Sequence, residues 1–281
     1  MTDDPTPAPC ALCAAEPRDE ISHIIPAFVY RWLKQSSPTG FIRAAANPNK
    51  RLQDGPKQRL LGRACEDLFS GWENQFAETV FREVHHKRNN HLNFSYGDWL
   101  AKFCVGTSWR SLAYLLEAKP DVVLPFGHEA AARDALEVWR TYLLGGSRFI
   151  APHWQYFLIL DTPTNVPNEA DRSDMTTFIH RGVDIDTMHA PDECYVFTKL
   201  CNVLIVGSVL DANPRQWQGC KVGLSGGNYR CPQDFRVSGC FTKYIETALD
   251  QIRQARREIS TAQVEKMTAT LRRRHSSAAE G

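Results

Sequence analysis

The sequence predicts an α+β protein, a small cysteine-knuckle module followed by a mixed helix and antiparallel-sheet domain. Three observations point there. Residues 66–144 repeat apolar side chains at helical spacing over long stretches. Residues 156–209 instead hold short β-rich runs separated by Pro, Asp, Asn and Gly. The first part carries Cys10-x-x-Cys13 and then Cys65, a pattern suited to a small metal-supported fold. With 281 residues the chain can bury a sizeable core and fits two domains, expected at 10–90 and 91–281 behind a disordered lead-in at 1–9.

Elements follow in order. Residues 10 to about 30 read as knuckle, short strand and turn, and Pro26 opens an amphipathic helix with Phe28, Trp32 and Leu33 on its apolar side. Residues 35–57 are turn-rich, with short strands expected at 40–45 and 50–53. Leu68, Phe69, Trp72, Phe76, Val80 and Phe81 mark a helix from Glu66 to about Val84. The charged segment 85–91 is the expected domain boundary. Helices follow at 96–118 and 129–144, the latter ended by Gly145-Gly146. Strands are expected at 156–160, 183–188, 194–199 and 203–209, with a hairpin turn before Val203. Lys221–Leu224 and Tyr229-Arg230 read as the arms of a turn at Gly226-Gly227. Phe241 to Ile259 reads as a helix, and the capping box Ser260-Thr261-Ala262-Gln263 starts another.

Net charge is +1, so the global balance says nothing of a nucleic-acid partner. The local balance does. Arg31, Lys34, Arg43, Lys50, Arg51, Lys57, Arg59 and Arg63 face a single acid, Asp54, which suits a phosphate-binding stripe or a solvated face balanced elsewhere. No apolar run approaches the ~20 residues of a membrane helix, and the Pro-rich start MTDDPTPAPC is unlike an export signal. A soluble, cytoplasmic protein is expected, its odd count of nine cysteines serving as thiols or metal ligands. Trp154 and Trp217, in loops, are candidate stacking platforms.

Cys10-x-x-Cys13, then Ser22-His23-Ile24-Ile25-Pro26, an Asn-bearing basic loop and Cys65 at a helix start resemble the HNH endonucleases, with their ββα-metal, treble-clef zinc fold. The resemblance covers the first third of the chain. It implies His23 as general base on the first strand of a hairpin, its second strand at Lys50–Gln53. It implies Asn49 (or Asn47) as the residue that orients His23. It also implies a structural zinc on Cys10, Cys13 and Cys65, with His85, His86 or His91 as a fourth ligand. A catalytic Mg²⁺ or Mn²⁺ would rest on Glu66 and Glu73, or on Glu20. DNA or RNA would lie on the basic stripe, and by analogy the role would be phage defence. Two positions depart from the family. Ser22 stands where a metal-binding Asp or His is usual, and Gly62 where a fourth zinc cysteine is usual. A catalytically degenerate nucleic-acid-binding module and a structural or interaction protein therefore stay open beside the nuclease. The C-terminal part would add specificity, sensing or homo-oligomerisation.

Overall fold

The computed structural model describes residues 8–18, 21–85, 92–118, 124–161, 168–211, 213, 215–231 and 234–279. The architecture is α+β. Its centre is an antiparallel sheet of β6 (Gln155–Ile159), β7 (Val183–Ala190), β8 (Glu193–Leu200) and β9 (Val203–Asp211), in the order β6-β9-β8-β7. Strands β7 to β9 form a meander, and Leu200 pairs Val203 across the turn at Cys201-Asn202.

Strand alternation sorts the sheet's side chains into two cores. Val196, Val203, Ile205 and Phe157 face α4 (Asp98–Ala118) and α5 (Glu129–Leu143). Tyr195, Phe197, Leu204 and Leu158 face α6 (Glu169–Arg181) and α7 (Gly239–Glu258). Helices on both faces explain why Val203–Val209 reads as a continuous apolar run rather than an alternating one. The end of α5 is a Schellman motif: Gly145 and Gly146 N–H donate to the Tyr142 and Thr141 carbonyls, with Gly145 at φ 79°.

The N-terminal part contributes β1 (Ile21–His23), α1 (Ala27–Ser36), β2 (Ile42–Ala44), β3 (Asn47–Leu52), β4 (Lys57–Arg59) and α2 (Arg63–Phe76). Helix α2 continues through a π turn, Ala77–Phe81, into α3 (Arg82–His85). Its core is not separate from that of the sheet. Phe76 stacks on Phe103 of α4 with centroids 4.0 Å apart and meets Phe28 of α1 and Phe157 of β6 at 6.2 and 6.0 Å. Of the segment expected to divide two domains, 85–91, residues 86–91 lie outside the described residues, as do 1–7 of the lead-in.

Three expectations are corrected. The partner of β1 is β4, with Ile21 opposite Arg59 and His23 opposite Lys57. The expected partner at 50–53 belongs to β3, which pairs β2; the turn at Asp54-Gly55-Pro56 then returns the chain, and Ile24 N–H donates to the Pro56 carbonyl. Second, β10 (Gly227–Arg230) pairs β5 (Asn93–Tyr96), not the strand before it. Gly226, at φ 122°, sits so close to the Tyr96 carbonyl that a Cβ would collide with it. Third, Trp217 is no stacking platform: it is fully buried and stacks on Tyr156. Helix α6 is not among the elements that the sequence pattern predicts. Only Asp174, Phe178 and Ile179 of it are buried, so its periodicity is faint, and its clearest mark is the Asn168 side chain capping Asp171 N–H. The last helix, α8 (Thr261–Ala279), follows Ser260 as the capping box predicts. No helix among the described residues is long and apolar enough to cross a membrane.

Candidate metal centre

The knuckle at residues 10–16 closes on itself. Cys10 N–H donates to the Glu16 carbonyl at 2.6 Å and Ala14 N–H to the Cys10 carbonyl at 2.9 Å. Ala14 takes φ 59°, the left-handed turn that brings two cysteines three apart to one side. Ala11 N–H bonds the Leu60 carbonyl, which docks the knuckle on the strand leading into α2. From the other side, Arg140 Nε of α5 donates to the Leu12 carbonyl at 2.6 Å. Cys65 lies in the first turn of α2, and the Sγ atoms of Cys10, Cys13 and Cys65 all lie within 4.8 Å of one another. Thiolates on one tetrahedral zinc at ~2.3 Å would sit about 3.8 Å apart, so the trio is close to a ligand set. All nine cysteines are free thiols.

The electrostatics differ among the three. Burial opposes ionisation of Cys10, but the backbone N–H groups of Cys13, Gly62 and Leu12 and the Cys13 thiol outweigh it and lower its pKa. Burial, with the Cys13 and Cys10 sulfurs beside it, raises that of Cys65. Ionisation is thus eased at Cys10 and opposed at Cys65, and a bound cation would favour the thiolate form of each.

Among the described residues no fourth His, Cys, Asp or Glu joins the cluster. Position 62 has no room for a side chain as the chain stands. A Cβ on Gly62 would lie 2.7 Å from Glu16 Cβ, because Glu16 reaches across to accept Ala64 N–H of α2 at 3.0 Å. His85 is no candidate. It ends the same helical rod that Cys65 begins, twenty residues or about 30 Å away, and packs on Trp32 and Phe81. His86, His91 and Glu20 lie outside the described residues.

The residues assigned to hydrolysis are not brought together. His23, half-buried at the end of β1, bonds through Nε2 to Asp54 Oδ2 at 2.9 Å. Burial works against the Asp54 carboxylate, but bonds from Lys57, His23 and Gly55 N–H hold it well below the usual range. Ser22, on the opposite face of the strand, donates to Glu66. Glu73 takes the buried Arg110 guanidinium. Glu66 and Glu73 share a helix face, yet their rise of about 10 Å separates them by more than one ion's shell, and each has its own partner. These carboxylates therefore do not fit a shared Mg²⁺ or Mn²⁺ site.

Asn49 is also elsewhere. Its Nδ2 donates to the Glu258 carbonyl and its Oδ1 accepts Ser260 N–H, both at 2.9 Å, clamping β3 to the joint between α7 and α8. Asn49→Ala should lower stability by about 1–2 kcal/mol in urea unfolding. The residue beside His23 is Asp54, which in sequence reads only as half of an Asp-Gly turn.

Of the basic stripe, Arg31, Lys50, Arg51, Lys57, Arg59 and Arg63 are exposed. Arg51 lies over the Phe41 ring, Lys57 pairs Asp54 and Arg63 pairs Asp67. Lys34 bonds the Gln53 carbonyl, and Arg43 is partly buried. No family model matches the chain, and neither does any curated protein or solved structure.

Proposed function

We propose that residues 10–85 form a zinc-stabilised module that binds DNA or RNA, with the larger sheet domain as its scaffold. The single observation that carries the reading is the clustered trio Cys10, Cys13 and Cys65, with Cys10 and Cys65 buried and Cys13 partly so. Three sulfur donors favour zinc over harder ions, and solvent or a turned Glu16 would complete the shell. The position of the trio supports a structural rather than a catalytic metal: it joins the knuckle, the strand before α2 and the first turn of α2. Exposed Arg31, Lys50, Arg51 and Arg59 supply the charge for phosphate contacts.

The test is fluorescence anisotropy with a labelled DNA duplex and a single-stranded RNA. Four phosphate contacts predict about a hundredfold weaker binding at 200 mM than at 50 mM salt. A Lys50→Glu/Arg51→Glu double variant should lose most of that binding. Absent or salt-independent binding would sink the nucleic-acid part of the reading.

A second reading, an HNH-like endonuclease, is favoured by one observation, the His23–Asp54 pair on a strand beside β4 and ahead of α2. Asp54 would hold the imidazole by Nε2 and leave Nδ1 to take a proton from water. In that case wild type nicks plasmid DNA with Mg²⁺ or Mn²⁺ and His23→Ala binds without nicking. Equal nicking by both would remove His23 from any mechanism.

A further inference from the structure

A cavity of about 830 Å³ opens between the β2–β3 hairpin and α1 on one side and α6, α7 and the start of β7 on the other. Its size is that of a small-molecule site, and apolar side chains from both sides line it, among them Phe41, Leu52, Phe178 and Ile252. Most of its charged groups are already matched. Arg181 bonds the Leu33 carbonyl and Ser36 and lies over Trp32, while Arg256 pairs Asp174. Asp54 holds His23 and Lys57, and Asp184 receives the Tyr244 hydroxyl.

Two polar groups in the wall are not matched. Arg43 Nε is buried and has no hydrogen-bond partner, although Nη2 lies 2.7 Å from the properly oriented Gln263 amide oxygen. The guanidinium is also partly desolvated and repelled by Arg51, and among the described residues no carboxylate pairs with it. Tyr30 is 7% exposed, and its hydroxyl bonds no group among the described residues. A bound anion would give the Arg43 guanidinium a counter-charge and the Tyr30 hydroxyl an acceptor.

We propose that this cavity binds a small organic anion, with its acid group on Arg43, a further acceptor at Tyr30 and an apolar or aromatic body against the Phe41–Ile252 walls. The site belongs to no part of the metal centre and does not depend on the nucleic-acid reading.

The probe is anilinonaphthalene sulfonate, an acid on an aromatic body, titrated by fluorescence against the full chain, with calorimetry for stoichiometry. One saturable site per chain is expected. Arg43→Gln removes a charge-assisted bond and should weaken binding about tenfold or more, and Tyr30→Phe severalfold. Ala248→Phe, which fills the cavity, should abolish it. Because that variant acts in packed surroundings, all three are first checked for an unchanged circular-dichroism spectrum. The two polar-group variants decide the matter if the third misfolds. The uncharged N-phenylnaphthylamine should bind far more weakly than the sulfonate. Displacement of the probe by decanoate would support an acyl body, and by adenosine monophosphate an aromatic phosphate. Non-saturable binding, equal affinity for the uncharged dye, or an unchanged Kd in both Arg43→Gln and Tyr30→Phe would overturn the proposal.

Discussion

Cys65→Ser is expected to lower the unfolding free energy by about 4 kcal/mol or more, the scale on which loss of a structural metal is felt. The cause lies in what the trio joins. Cys10 and Cys13 come from a turn held by few backbone bonds, and Cys65 from the first turn of α2, which runs on into the shared core through Phe69 and Phe76. A metal on three sulfurs fastens the turn to the helix. Without it, the knuckle keeps its bonds to Leu60, Ala64 and Arg140 and its buried Leu12 side chain. Chelator should therefore destabilise wild type to the level of the variant and leave the variant itself unchanged, as read by urea unfolding with and without EDTA. If the cysteines are merely small core side chains, Cys65→Ser costs about 1–3 kcal/mol for a buried hydroxyl and EDTA does nothing.

The second large effect concerns Lys199, which is fully buried on β8. Its ammonium donates to the carbonyls of Phe178 and Ile179 at 2.6 and 3.0 Å, and to those of Gly182 and Cys201. The first two are last-turn carbonyls of α6, that of Phe178 also accepting the Gly182 N–H at 3.1 Å, so Lys199 caps that helix from the sheet. Lys199→Met should cost about 3 kcal/mol or more, because several buried carbonyls lose their donor together. Burial also has a pH consequence, since it pulls the Lys199 pKa down to about 7, although neighbouring Cys201 and Asp184 act to raise it. The unfolded chain, with an ordinary lysine near 10.5, binds the proton more readily than the folded one. Wild-type stability should thus rise between about pH 7 and 10.5 from this group, and the deficit of Lys199→Met should widen over the same range. A deficit that stays constant or narrows would contradict the burial account.

The sequence makes local patterns legible and long-range ones not. The helix over 66–84, the α5 terminator at Gly145-Gly146 and the β7–β9 meander are all written in neighbouring residues. The β5–β10 pair joins residues more than a hundred positions apart, and nothing local in Asn93–Tyr96 names its partner. Helix α6 hides for the opposite reason: it rests on the protein by one narrow edge. At the candidate site, the spacing of Cys10, Cys13 and Cys65 is enough to find the trio. The absence of cysteine at 62 is visible in sequence, but the filling of that place by Glu16 is a tertiary fact. Asn49 shows how a plausible loop residue misleads, since an amide beside a proline says only that the chain turns. Which backbone it clamps depends on α7, some two hundred residues later.

The central claim, a structural zinc on three cysteines, meets its most direct test in metal content. Protein purified without added metal or chelator is assayed by inductively coupled plasma mass spectrometry, with Cys10→Ser and Cys65→Ser prepared in parallel. About one zinc per chain in wild type, and little or none in both variants, is the expected result. Wild type well below one zinc per chain, or variants that keep the metal, would contradict it.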